Sequence, residues 1–254
     1  MGERVLESDN LTKDFDGVVA VDRLSFTIDQ GEIVGLLGVN GAGKTTAMNM
    51  ILGLTKPSSG NIRAFGLDLF QHRIAILRRS NFSSAYADLP NNLLVWQNLL
   101  VFGKLYGVKN LKEKIDSLLE LFEISHLRDR VTGRLSAGES TRLHLCKSLL
   151  NDPELLLLDE PTASLDPDIA DKVRKIIRRV QSERGIAILY TSHNMRDVEE
   201  VCDRVVFIHK GKIICTGTPT EVVDHFQKDS LEDVFISVAR SGEMKEQTER
   251  QAHS

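Results

Sequence analysis

Apolar and polar residues alternate through VDRLSFTI, Val21 to Ile28, and the apolar residues then run together in EIVGLLG, Glu32 to Gly38. Both patterns predict strands, and a glycine-rich turn leads from the second into TTAMNMILGL, whose spacing predicts a helix. This is a strand, loop, helix unit. GNIRAFG adds a short strand, after which LLVWQNLLVFGKLYG and LKEKIDSLLELFEI show helical spacing with no strand between them. A helical insertion is therefore expected over about residues 81–151.

Beyond it, ELLLLDE is an apolar run ending in acids and PDIADKVRKIIRRVQSER an amphipathic helix with Pro167 near its first turn. AILYTSH predicts another strand, and strands alternating with helices imply a parallel sheet. RVVFIHKGKIICTG predicts a hairpin turning at Lys210 and Gly211, and SGEMKEQTERQAHS is polar enough for a loose tail.

Composition narrows the picture. With 254 residues, 41% hydrophobic and 27% charged, the chain can bury one substantial core, and its net charge of -4 supplies no general attraction to nucleic acid. No nucleic-acid partner is expected. The three cysteines, Cys146, Cys202 and Cys215, stand far apart with no C-x-x-C pair, which suits reduced cytoplasmic thiols rather than disulfides or zinc. Aliphatic runs such as Leu155 to Leu158 are far shorter than a membrane span, and the start MGERVLESDN lacks a signal-type apolar segment. Membrane association is thus expected only through a partner.

The chemistry concentrates in a few segments. GVNGAGKTT, Gly38 to Thr46, fits G-x-x-x-x-G-K-[ST] between a strand and a helix. Its glycines, Gly38, Gly41 and Gly43, let backbone N–H groups turn inward around phosphate oxygens, with Asn40 and Thr46 in the same loop. Lys44 reaches the terminal phosphates, and the Thr45 hydroxyl is a magnesium ligand. Asp159, ending LLLLDE, is the second candidate metal ligand, direct or through water. Glu160 beside it is placed to orient or deprotonate an attacking water. LSAGES, Leu135 to Ser140, has the composition of a second anion site; alone it reads as a helix N-cap, Ser136 boxed with Glu139.

Together these segments resemble the nucleotide-binding subunits of ATP-binding cassette (ABC) proteins, over about Val5 to Gly217. LSAGE, comprising Leu135, Ser136, Ala137, Gly138 and Glu139, is similar to that family's LSGGQ signature. ASLD is similar to its D-loop, with Ser164, Leu165 and Asp166, and TSH to the segment ending in the switch histidine, here His193. The resemblance implies an α/β P-loop NTPase core, a parallel sheet with flanking helices and an antiparallel β subdomain, carrying an inserted helical signature subdomain. It implies one ATPase domain over 1–228, followed over 229–254 by a C-terminal helix and polar tail. It also implies ATP and Mg2+ as cofactors, Glu160 as catalytic base and Phe15 as the aromatic stacked on adenine. Finally, it implies a second cassette, most simply an identical chain, paired head to tail so that each signature covers the other's nucleotide.

Two positions depart from the pattern, one of them Glu139, which stands where the signature usually has glutamine. Where the family carries a glutamine between core and helical subdomain, the chain reads SNFSSAYADLP, which aligns Ser84 with that glutamine, while Ser83 or Asn81 takes the position if the loop is offset. Gln97 lies too far into the next helix. Ser84 would reach a metal-bound water only through its short hydroxyl. Asn81 to Leu100 would form the groove for a membrane subunit, with Phe82, Tyr86, Leu89, Trp96 and Leu99 as contact surface. SLEDVFISVAR, Ser230 to Arg240, resembles the C-terminal segment of ABC-2-type exporter cassettes. The expected function is therefore the ATP-hydrolysing subunit of an exporter, peripheral on the cytoplasmic face of the inner or plasma membrane and driving a separately encoded permease. The alternative is a soluble cassette that remodels a macromolecular assembly.

Overall fold

The computed structural model describes residues 2–84, 88–163 and 165–240. In chain order, β1 (Arg4–Phe15) and β2 (Val18–Asp29) form a hairpin, β3 (Ile33–Leu37) feeds α1 (Lys44–Ile51), and β4 (Ser59–Ala64) and β5 (Leu67–Asp68) follow. Next come α2 (Arg73–Arg78), β6 (Ser80–Ser84), α3 (Val95–Leu105), α4 (Leu111–Leu121) and α5 (Ala137–Ser148). The chain returns to alternation with β7 (Leu155–Asp159), α6 (Pro167–Arg184), β8 (Ala187–Thr191) and α7 (Met195–Val201). It continues through β9 (Arg204–His209), β10 (Lys212–Gly217) and α8 (Pro219–Phe226). Two sheets result, one antiparallel in the order β2-β1-β4-β5, the other six-stranded in the order β10-β9-β3-β8-β7-β6. All neighbours in the second are parallel except β9 and β10.

The apolar runs are explained by burial on both faces of this second sheet. Ile33 and Leu37 of β3, Leu156 and Leu158 of β7, and Ile188 and Tyr190 of β8 face a core shared with α3 to α6. Their neighbours Val34, Leu36, Leu155, Leu157, Ala187 and Leu189 face a second core, which holds α1 and the inner face of the antiparallel sheet. Period two thus leaves no polar position in either strand interior. The β9–β10 turn has both Lys210 and Gly211 at positive φ, 47° and 77°, as a two-residue hairpin matched to strand twist requires.

The expectation that residues 81–151 are helical throughout needs correction at its start. Asn81 to Ser84 belong to β6, an edge strand pairing in parallel with β7. Its sequence, SNFSS, has no apolar run because the polar side chains are satisfied locally: Ser80 donates to the Ile76 carbonyl at 2.9 Å and Asn81 to Asn151 Oδ1 at 2.7 Å. The helical elements begin at α3, where Gly103 brings α3 against α4; a Cβ there would lie 2.1 Å from Leu111 Cδ1.

At the other end, residues 231–240 are helical. Ser230 caps this helix, accepting from the Asp233 N–H at 3.1 Å, and Leu231, Val234 and Val238 are buried against the domain's own core. The polar stretch 241–254 lies outside the described residues.

Candidate active site

Parallel strands deliver their C-terminal ends to one edge, and register decides which residues meet there. Ser84 pairs with Asp159, and Asp159 with Thr191. Beside them, β3 runs into the loop before α1, the usual position of a ligand site in an open parallel sheet. A cleft of about 460 Å³, within the usual range for small-molecule sites, is lined by Asn40, Gly41, Gly43, Lys44, Thr45, Thr46, Ser84, Asp159, Glu160 and His193, together with Ala20. Of the loop residues expected from sequence, Gly38 does not line the cleft; it shapes the loop from below.

Glycine is required at two points of that loop. A Cβ on Gly38 would meet the Ile208 carbonyl oxygen at 2.4 Å, and one on Gly43, at φ 105°, the Ala20 carbonyl oxygen at 2.4 Å. Gly43 is the N-cap of α1 and contributes no side chain, so the N–H groups of the helix start remain available for an anion, favoured there by the helix dipole. Lys44 folds its ammonium back over the loop, donating to the carbonyls of Gly38 and Val39. Burial pulls its pKa below the ordinary lysine value, against the opposing pull of Glu160 and Asp159.

Opposite the loop, the carboxylates are held differently. Asp159 accepts from Thr191 Oγ1 at 2.7 Å and from Ser84 Oγ at 3.3 Å. Glu160, only 6% exposed, receives the His193 N–H at 3.3 Å on one oxygen and lies 3.1 Å from His193 Nε2 with the other. Its backbone sits at φ 54°, strain that its bonds to the Thr191 carbonyl and hydroxyl hold in place. Burial raises the Glu160 carboxyl above its usual range, with His193 pulling the other way. A carboxylate poised in this way accepts a proton more readily than an exposed one. The oxygens of Thr45, Asp159 and Ser84 form a hard donor set suited to Mg2+.

Leu135 to Glu139 do not line this cleft. Ser136 is the N-cap of α5: its hydroxyl accepts from the Glu139 N–H at 3.3 Å, and Glu139 accepts from the Ser136 N–H at 2.7 Å. The capping box read from sequence is thus present. Gly138 lies beside the next segment, since a Cβ there would touch Ile169 and Leu165 at 3.4 and 3.8 Å. Asp166 is the N-cap of α6 with Pro167 in the first turn; Ser164 lies outside the described residues.

The profile of the ABC transporter family matches residues 21–163. The chain belongs to the ABC transporter family. It is 39% identical over 210 residues to the bacitracin transport ATP-binding protein BcrA of Bacillus licheniformis, spanning 83% of this chain and 68% of that one. It is 37% identical over 232 residues to the lipopolysaccharide export system ATP-binding protein LptB of Haemophilus influenzae, spanning 88% and 94%. Among solved structures, an ATP-binding subunit of an ABC transporter superposes with a TM-score of 0.84 at 25% identity, covering 92% of this chain and 99% of that one. The protein is accordingly an ATP-binding cassette, and its activity is ATP hydrolysis in the service of transport.

Within this cassette, Phe15 ends β1 at the Asp16–Gly17 turn and is 49% exposed, with Lys13 Nζ 4.8 Å from its ring centre. Gln97 is occupied in capping α3, accepting from the Leu94 N–H at 2.9 Å. The groove expected over Asn81 to Leu100 is narrower than its sequence suggests. Leu89, in the segment before α3, and Leu99 of α3 are both buried in the helical core and offer no surface. Phe82 and Trp96 are half-buried, and Tyr86 lies outside the described residues. Two functional contacts escaped the sequence reading: Thr191, which anchors both Asp159 and Glu160, and Ala20, which closes the cleft from β2.

Proposed function

We propose that this cassette is the ATPase of an exporter whose membrane-spanning part is a separate chain, and that two cassettes close head to tail around two Mg-ATP. The observation that carries the hydrolytic reading is Glu160, buried at the cleft edge and engaged by His193 through both main chain and side chain. In this reading the loop from Gly38 to Thr46 and Lys44 bind the phosphates. Phe15 stacks on adenine, Glu160 takes the proton of the attacking water, and His193 contacts the terminal phosphate. Thr45 and Asp159 would hold Mg2+, which when bound neutralises charge on the transferred phosphoryl group. Ser84, bonded to Asp159, stands at the family's glutamine position with a shorter reach.

Pairing is supported by the separation of the two anion sites. Leu135 to Glu139 do not line the cleft of their own chain, and Gly138 packs beside Leu165 of the D-loop, which with Ser164 and Asp166 would lie along the same interface. A second cassette supplies the missing half, and an identical chain suffices because this one carries both halves. Export is supported by relatives named for bacitracin transport, lipopolysaccharide export and, in Rhizobium, Nod factor export. No described helix is long and apolar enough to cross a membrane, so attachment to the cytoplasmic face would be through the permease.

Glu160→Gln tests this reading. The variant should bind ATP, lose nearly all single-turnover hydrolysis and accumulate as a dimer in light scattering. Wild-type turnover would remove Glu160 as base. Purified with ATP from detergent-solubilised host membranes, the same variant should carry a stoichiometric chain with several membrane spans; soluble partners alone would favour a remodelling ATPase.

A further inference from the structure

Asp197 lies on α7, four residues past His193, and is completely buried. Its carboxylate is shared among three chain segments. One oxygen accepts from Thr162 Oγ1, two residues past Glu160, and from Ser192 Oγ at 3.1 Å; the other accepts from Arg174 Nη1 of α6 at 2.7 Å. The Ser192 hydroxyl also accepts the Asn194 N–H at 3.0 Å, so the polar links bracket His193 on both sides. Arg174, itself 4% exposed in its side chain, is steadied by Glu200 at 2.6 Å and Asp171 at 3.6 Å.

These links converge on the pair that performs the chemistry. Glu160 and His193 come from different strands and meet through one short contact and one backbone hydrogen bond. Neither β7 nor β8 extends to the two loops, so their separation depends on the bonds made between them, including what ties Thr162 to Ser192. Alongside the Glu160 N–H bonds to Thr191, the Asp197 carboxylate joins these segments through one oxygen that accepts from both Thr162 and Ser192.

We propose that Asp197 is a positioning residue for hydrolysis: its carboxylate, neutralised by Arg174, clamps the segment after Glu160 to the segment carrying His193. It does not line the cleft. Its effect is on the distance between base and histidine, a quantity to which rate is steeply sensitive, since a displacement of about 1 Å can lower it by about 100-fold. This inference rests on the reading of Glu160 as base.

The links can be cut without stranding the buried guanidinium. Thr162→Val and Ser192→Ala each remove one hydroxyl while the Asp197–Arg174 pair remains. Each should lower single-turnover hydrolysis about tenfold or more with ATP affinity held within about twofold, the pattern of an interaction felt only in the transition state. Thr162→Ser, which restores the hydroxyl, should recover the rate. In an Asp197→Asn background the two changes should add little, because all three act through one carboxylate.

Two results would overturn the clamp: unchanged hydrolysis in both hydroxyl variants, or rate, ATP affinity and melting temperature falling together as in a merely structural site. Glu160→Gln, measured alongside, separates the layers. If it is inactive while both hydroxyl variants hydrolyse normally, the clamp fails and the base stands. If it turns over normally, the reading beneath the clamp fails first.

Discussion

Around Gly38 to Thr46 the backbone adopts conformations and close approaches that only glycine permits, and its helix start is left without a side-chain cap. Around Ser136 to Glu139 the opposite holds: side chains close a capping box on the backbone, and both N–H groups at its ends are already bonded. Both segments have the composition of an anion site. The first is built into the edge of a sheet buried on both faces, with no side chain capping its helix start. The second is a self-satisfied helix start in the helical subdomain and offers only what the box leaves over, the N–H groups near Gly138. The loop should therefore be intolerant wherever an added Cβ would meet backbone, whereas the signature should separate a structural share from a functional one.

The largest effect is expected at Gly43. An alanine Cβ there would sit 2.4 Å from the Ala20 carbonyl oxygen, so backbone must shift and Lys44, the next residue, shifts with it. Gly43→Ala should weaken ATP binding by about 100-fold or more, measured by calorimetry, if the preformed loop supplies on the order of 3 kcal/mol. Gly41→Ala is the control, because at φ 78° its Cβ would meet nothing within 4 Å. There only the left-handed conformation is penalised, by about 1–2 kcal/mol. Equal affinities for the two variants would show that the loop adapts and that the contrast with the signature is overstated.

A second expectation concerns the bolt between the signature helix and β6. Lys147, near the C-terminal end of α5, donates to the Phe82 carbonyl at 3.1 Å and to Asn81 Oδ1 at 3.3 Å, tying the signature helix to the strand that ends at Ser84. The Phe102 and Tyr106 rings also face its ammonium, at 5.4 and 6.0 Å. Burial pulls its pKa down to about 8. Below that value folded and unfolded chains both hold the proton, and the penalty for burying the charge is fully present. Between about 8 and the unfolded value of about 10.4 the folded state releases its proton first, so stability rises with pH. Lys147→Met should remove this rise. The difference in unfolding free energy between variant and wild type, from urea titrations at pH 7 to 10, should change by on the order of 2 kcal/mol. A constant offset across the range would mean that Lys147 stays charged and the bolt does not titrate.

The sequence was most legible where chemistry forces residue type. The phosphate loop, the acid-terminated β7, the Pro167 helix start and the Lys210–Gly211 turn all follow from backbone or burial constraints that few residues meet. It was least legible at β6, where an edge strand satisfies its polar side chains by donating from Ser80 to the Ile76 carbonyl of α2 and from Asn81 to Asn151, a partner 70 residues away. The same limit hid Thr191 and Asp197, whose roles exist only once β7 and β8 are in register. A signal for α8 was present but unread, since Thr218, Pro219 and Glu221 form a capping box with proline in the first turn. Leu89 and Leu99 fitted groove and core alike in the sequence, because an apolar residue reads the same whether it faces a partner or its own domain.

The smallest effect, and the finest test of the contrast, is at Glu139. Its carboxylate accepts from the Ser136 N–H and lies 3.3 Å from Arg130; the backbone hydrogen bond is the main reason its pKa falls below the ordinary glutamate value. Glutamine keeps an oxygen for the Ser136 N–H, so Glu139→Gln should alter unfolding free energy by less than about 0.5 kcal/mol, whereas Glu139→Ala opens the box and should cost about 1 kcal/mol. The charge matters for a different reason. In a head-to-tail pair it faces the partner's triphosphate, so both variants should lower the Mg-ATP concentration for half-maximal turnover by about two- to fivefold at low salt, an effect that fades near 0.5 M salt. Alanine and glutamine should therefore differ in stability and agree in nucleotide dependence. If they differ in both, the box itself shapes the anion site, and the signature would be as preorganised as the loop it complements.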